Sequence, residues 1–123
     1  MRWLVHGNIT AAAAEALKRH GHEPRDLASV GVPPDGAPDA VLTAAKKGQL
    51  DLMTADPVMA QAPFDLDFWF NRSMVFLQLE GGDVEQDDAI DRLFKRYKRL
   101  SPGRLYTVTA TRVKIRQLPA RKP

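Results

Sequence analysis

The chain has 123 residues, 44% of them hydrophobic, with 18 Lys and Arg against 15 Asp and Glu and no cysteine. That length suits one domain around one core, and the missing cysteines exclude a disulfide framework, a thiolate zinc site and a cysteine nucleophile. No apolar run reaches membrane-span length, and Arg2 to Asn8 leads into no signal-peptide core, so a cytoplasmic chain without a membrane partner is expected. Residues 1–118 read as the single domain, and 119–123, with two prolines, as a frayed tail.

Charge is unevenly spread. Through Asp91 the chain holds all 15 acids against 7 basic residues; from Arg92 onward it holds 11 basic residues and no acid. Such asymmetry points to an anionic partner for the last third, nucleic acid first among them, although a basic helix end and a basic edge strand also serve as solvated surface.

In chain order, Trp3-Leu4-Val5 is a short apolar strand that stops at His6-Gly7-Asn8. Thr10 caps an alanine-rich helix running to His20, with Gly21 as its stop. Glu23 to Leu27 reads as a second strand that Pro24 confines to an edge, and Ser29 to Ala37 as a loop. Pro38 opens a helix through Val41, Leu42 and Ala45 that Gly48 ends. A strand at Leu50–Thr54 follows, then Asp56 as the cap of a short helix over Val58 and Met59. Pro63 to Phe70 alternates acids with aromatics and matches no element.

Met74–Leu79, nearly all apolar, reads as a central strand. Asp83 and Gln86 resemble a capping box ahead of a helix whose apolar stripe is Ile90, Leu93, Phe94 and Tyr97. Leu105–Thr109 and Arg112–Gln117 close the domain as strands. Strands alternating with helices predict a mostly parallel sheet covered on both faces, with ligands beyond the carboxyl ends of the strands.

Four groups of residues stand out for chemistry. His6, Asn8, Asp39 and Asp56 fall at predicted strand ends or a helix start; if the first and third strands are neighbours, His6 faces Asp56 and Asp39 overhangs the same cleft, where carboxylates would suit a divalent cation. Each also has a plain structural role, as a turn residue or helix cap. Arg112, Lys114 and Arg116 project from one face of the last strand and, with Lys95, Arg96, Lys98, Arg99 and Arg104, form a candidate nucleic-acid surface, or simply guard an edge strand. Phe64, Phe68, Trp69 and Phe70 pack in the core or, in part, join two copies of the chain as a homodimer. His20 and His22 flank Gly21, where a shared metal competes with the pull of a helix C-terminus on a cation.

Motifs along nearly the whole chain then point to a family. The opening "WLVHGNIT" from Trp3 and the Arg19-His20-Gly21-His22 helix end are followed by "APDAVLTAA" over Ala37–Ala45 and "LMTADPVM" over Leu52–Met59. The chain closes with "GRLYTVTATRVKIRQLP" over Gly103–Pro119. In this order they resemble the "FLVDENL", "RGH", "SDEEILELA" and "LVTRDRDF" segments and the closing strands of short bacterial PIN-like proteins. The resemblance implies a three-layer α/β/α fold with C-terminal β-strands. It implies metal-dependent cleavage, mostly of RNA, and for many members a toxin role beside an antitoxin partner.

Carried over by position, Asp39 and Asp56 are the catalytic carboxylates. His6 joins them around Mg²⁺ or Mn²⁺, and Asn8 and Thr54 shape the site. Three carboxylates of the family pattern are replaced, by His6, Gly7 and Val58, so that weakened or lost catalysis is expected. The alternative reading is a module that binds RNA or a protein partner without cutting.

Overall fold

The computed structural model describes residues 1–120. Six strands form one sheet: β1 (Arg2–His6), β2 (Glu23–Arg25), β3 (Asp51–Thr54), β4 (Met74–Leu77), β5 (Arg104–Val108) and β6 (Val113–Gln117). Their order is β2-β1-β3-β4-β5-β6, parallel throughout except for the antiparallel pairing of β6 on β5. Four helices connect them: α1 (Ala11–Arg19), α2 (Pro38–Lys47), α3 (Pro57–Asp65) and α4 (Asp83–Arg96).

Side chains alternate across the sheet, which fixes which helix covers which face. Leu4, Leu52, Met74 and Leu105 point to the layer of α2 and α3, where they meet Val41, Leu42 and Met59. Trp3, Met53, Val75 and Tyr106 point to the layer of α1 and α4, where they meet Leu17, Ile90 and Phe94. The result is the predicted three-layer α/β/α arrangement, with β3 and β4 buried at every position. Parallel strands covered on both faces read as continuous apolar runs, which is why β4 was legible.

Local signals place most helix ends. The Thr10 hydroxyl accepts from Ala13 N and caps α1, and Pro38 sits in the first turn of α2, where a missing N–H costs nothing. β2 is an edge strand, as Pro24 requires, but three residues long rather than five. The loop from Ser29 to Ala37 begins in a 3-10 turn over Ala28–Val30.

Several boundaries differ from expectation. The helix capped by Asp56 runs nine residues, to Asp65, and takes in Pro63, so the first part of the unassigned aromatic stretch is helical. The helix Asp83–Arg96 is capped one residue earlier than Asp83: Glu85 Oε2 accepts from Gly82 N. Gln86 is therefore no capping partner. Arg112 precedes β6 rather than opening it. Residues 121–123 of the expected tail lie outside the described residues. Among the described residues, no helix is long and apolar enough to cross a membrane.

Candidate functional site

The chain leaves β1 toward β2 on one side of the sheet and continues from β3 toward β4 on the other, so the order reverses between β1 and β3. Clefts of parallel sheets open at such a reversal. His6 pairs with Thr54 in register there, which puts both side chains on one face. The expected neighbourhood of His6, Thr54 and Asp56 is therefore formed.

Its bonds are inward. The Thr54 hydroxyl accepts from Asp56 N at 3.0 Å and shares a 2.9 Å hydrogen bond with His6 Nδ1. Asp56 Oδ1 accepts from Val58 N at 2.9 Å, capping α3. One hydroxyl and one carboxylate thus lock the strand-to-helix junction. A hydroxyl bonded to an imidazole is also the geometry of an activated nucleophile, but Thr54 is fully buried and cannot meet a substrate. Burial lowers the His6 pKa, and the Asp56 carboxylate only partly opposes this, so the ring is mainly neutral near pH 7.

Gly7 follows with φ +69°, and a Cβ there would lie 3.5 Å from Asp56 Cβ. A Glu at this position, as in the PIN-like pattern, would carry the cost of a left-handed backbone, about 1–2 kcal/mol. The replacement thus has a backbone consequence beyond the lost charge.

Asn8 is exposed, and its contribution is a backbone carbonyl: Gln86 Nε2 donates to Asn8 O at 2.7 Å, while Gln86 Oε1 accepts from Thr10 N at 3.0 Å. Gln86, buried on α4, clamps the loop between β1 and α1. Sequence reasoning missed this role. The available signal was a polar residue standing at helical spacing from Ile90 and Leu93, on the apolar stripe.

Asp39 lies exposed in the first turn of α2, where its Oδ1 accepts from Ala40 N. It does not complete a site with His6 and Asp56: among the described residues no three His, Asp or Glu side chains group so as to hold a metal ion. Mg²⁺ asks for near-octahedral oxygen coordination, and Mn²⁺ is likewise served by carboxylate, carbonyl and water oxygens. Here one imidazole nitrogen and one carboxylate oxygen are already bonded within the chain. Among the described residues, Asp39 thus stands apart from the His6 and Asp56 pair, and the expected three-ligand group is not assembled.

The basic residues are dispersed over several places instead of forming one surface. Lys114 and Arg116 oppose Thr107 and Leu105 in register, so they stand on the sheet face of α2 and α3. Helix α3 packs on β3 and β4, leaving a groove lined by Pro57, Gln61, Gln78 and Thr107 together with Lys114 and Arg116. The edge strand and the first turn of α3, next to Asp56, thus share one depression. Lys95, Arg96 and Arg99 belong elsewhere. The first two end α4, on the other face, and Arg99 with Lys98 lines a hollow beside His20, Gly21 and His22 at the amino ends of the strands. Arg112 stands just before β6, its N–H donating to the Thr109 hydroxyl.

The aromatic segment is largely engaged within the chain. Phe70 is in the core, the Arg116 guanidinium lies 3.6 Å from the Phe64 ring centre, and Lys46 Nζ lies 4.1 Å from that of Trp69 and 5.5 Å from that of Phe68. Leu66 is the large apolar side chain of this stretch that stays exposed. No family model, no curated protein and no solved structure matches the chain.

Proposed function

We propose that the chain is a PIN-like module that binds single-stranded RNA without cutting it, along the groove between α3 and β6. The observation that carries this reading is the placement of Lys114 and Arg116 on one wall of that groove, with amide and hydroxyl side chains of Gln61, Gln78 and Thr107 around them. Cations one strand step-pair apart, about 6.6–6.8 Å, match successive phosphates, and the neutral groups can bond sugars and base edges. The Phe64 ring under Arg116 holds that guanidinium in place, which reduces the rotamer freedom lost on binding.

Cleavage is left out because the carboxylates that would organise it are dispersed and bonded to backbone. A ribonuclease reading, with Asp39 and Asp56 as the working acids and an antitoxin-like partner, rests on the family resemblance alone.

The test is fluorescence anisotropy with a labelled RNA oligomer in rising salt. Log affinity should fall against log salt with a slope of about −0.7 per neutralised phosphate, and Lys114→Gln with Arg116→Gln should flatten it by about 0.7 for each cation removed. The same RNA should stay intact with Mn²⁺ present. Absence of binding at low salt overturns the reading, and so does Mn²⁺-dependent cleavage that Asp56→Asn abolishes.

A further inference from the structure

The hollow at the amino ends of the strands carries a second polar constellation, on the opposite face from the groove. His22 lines it with Lys98 and Arg99, beside Met1 and His20. Trp3 Nε1 donates to His22 Nδ1 at 3.1 Å. An indole N–H can only donate, so His22 Nδ1 must carry the lone pair, and the neutral ring keeps its proton on Nε2. That Nε2 has no hydrogen-bond partner among the described residues.

The ring is also held in orientation. It stacks on Phe94 with centroids 4.4 Å apart and planes 29° apart. Burial, then the N-terminal ammonium and His20, lower its pKa to about 4 against the opposing pull of Asp51, so the imidazole is neutral at pH 7 while still presenting a donor. None of the residues lining the hollow is acidic. The nearby Asp91 carboxylate is occupied by Arg19 and by His20 Nε2.

We propose that this hollow binds a phosphate group, held by the Nε2–H of His22, the Lys98 ammonium and the Arg99 guanidinium. The three donors differ in kind: a fixed neutral N–H, a rotatable point charge and a planar fork that grips two oxygens. The shared chemistry is a phosphate group with at least three unesterified oxygens, whether the end of an oligonucleotide or a free phosphate. The site does not depend on RNA binding along β6.

The experiment is an NMR titration of the full ¹⁵N-labelled chain with inorganic phosphate at pH 7 and constant ionic strength. The Trp3 indole N–H and the His22 ring nitrogens are the reporters. Saturable shifts are expected, and Lys98→Gln and Arg99→Gln should each weaken binding by about tenfold, the effect of losing one charge-assisted contact. Lys114→Gln with Arg116→Gln should leave it unchanged, which separates this site from the groove. A short oligonucleotide that moves these reporters only when 5′-phosphorylated, and more tightly than inorganic phosphate, identifies the terminal phosphate as the source; equal affinity identifies the free group. Shifts equally large in acetate or chloride overturn the proposal, as do shifts that survive Lys98→Gln and Arg99→Gln.

Discussion

The two ends of the sheet use their polar residues differently. At the carboxyl ends, where chemistry was expected, His6, Thr54, Asp56 and Gln86 are bonded to one another, to the backbone or to a neighbouring loop. At the amino ends, Asp51 is buried and fully engaged: Oδ1 accepts from Ser73 N and Oγ, and Oδ2 from Arg72. Beside it, His22 has its Nδ1 paired and its Nε2 open. The strand-end rule says where a cleft forms; whether the cleft does anything depends on which donors and acceptors remain unspent. In this chain an imidazole Nε2 stays open at each end among the described residues, on His6 and on His22, but only on His22 is it fixed as a donor, by the indole N–H on its Nδ1.

The largest expected effect tests the amino end. Asp51→Ala leaves the buried Ser73 N and Oγ without their acceptor, at about 1–3 kcal/mol for each group, and takes the partner from the half-buried Arg72. Asp56→Ala, which removes a partly exposed helix cap, should cost about 1 kcal/mol. Urea denaturation of both variants measures the pair. Equal losses would mean that the carboxyl end is as firmly built as the amino end.

Gln86→Ala comes next. It strands Asn8 O and Thr10 N near the surface of the domain, and leaving such groups unpaired costs about 1–3 kcal/mol. Amide hydrogen exchange should show the Thr10 amide losing protection while β4 keeps its own. Unchanged exchange at Thr10 would show that the loop is held by something other than this side chain.

What could be read from the sequence was mostly local. Thr10 as a cap, Pro38 in a first helical turn and the apolar run of β4 each depend on neighbours within a few positions. Crossover rules allowed the adjacency of β1 and β3, which pairs His6 with Thr54, two positions before the Asp56 it was expected to face. Gln86 was misread because its partners lie 78 and 76 positions away, and its spacing from Asp83 imitated a local motif. Asp51 was taken as one more strand residue, since nothing nearby in sequence announces Arg72 and Ser73. The end of α3 was lost because Pro63 normally breaks helices; here it falls in the last turn, where its ring is buried. Charge counting likewise found the basic third but not its division between two faces, which follows from α4 and β6 belonging to different layers.

The smallest effect concerns two of the three imidazoles, His6 at one end and His22 at the other. Both His6 and His22 have folded pKa values lowered from 6.5 by burial, His22 to about 4. Above pH 6.5 both states are mainly neutral and stability is level with respect to these groups. As the pH falls below 6.5 the unfolded chain takes up protons that the folded chain resists, so stability declines, for His22 over the window down to about 4. Carboxylates add their own dependence only below about pH 5, which leaves roughly pH 6.5 to 5 for the histidines. His22→Gln keeps an acceptor for Trp3 while removing the titration, so its stability should fall less steeply across that interval than that of the parent chain. Saturating phosphate should flatten the parent's decline as well, because an anion beside His22 favours the protonated ring. A slope unmoved by His22→Gln would show that His22 does not carry the acid sensitivity.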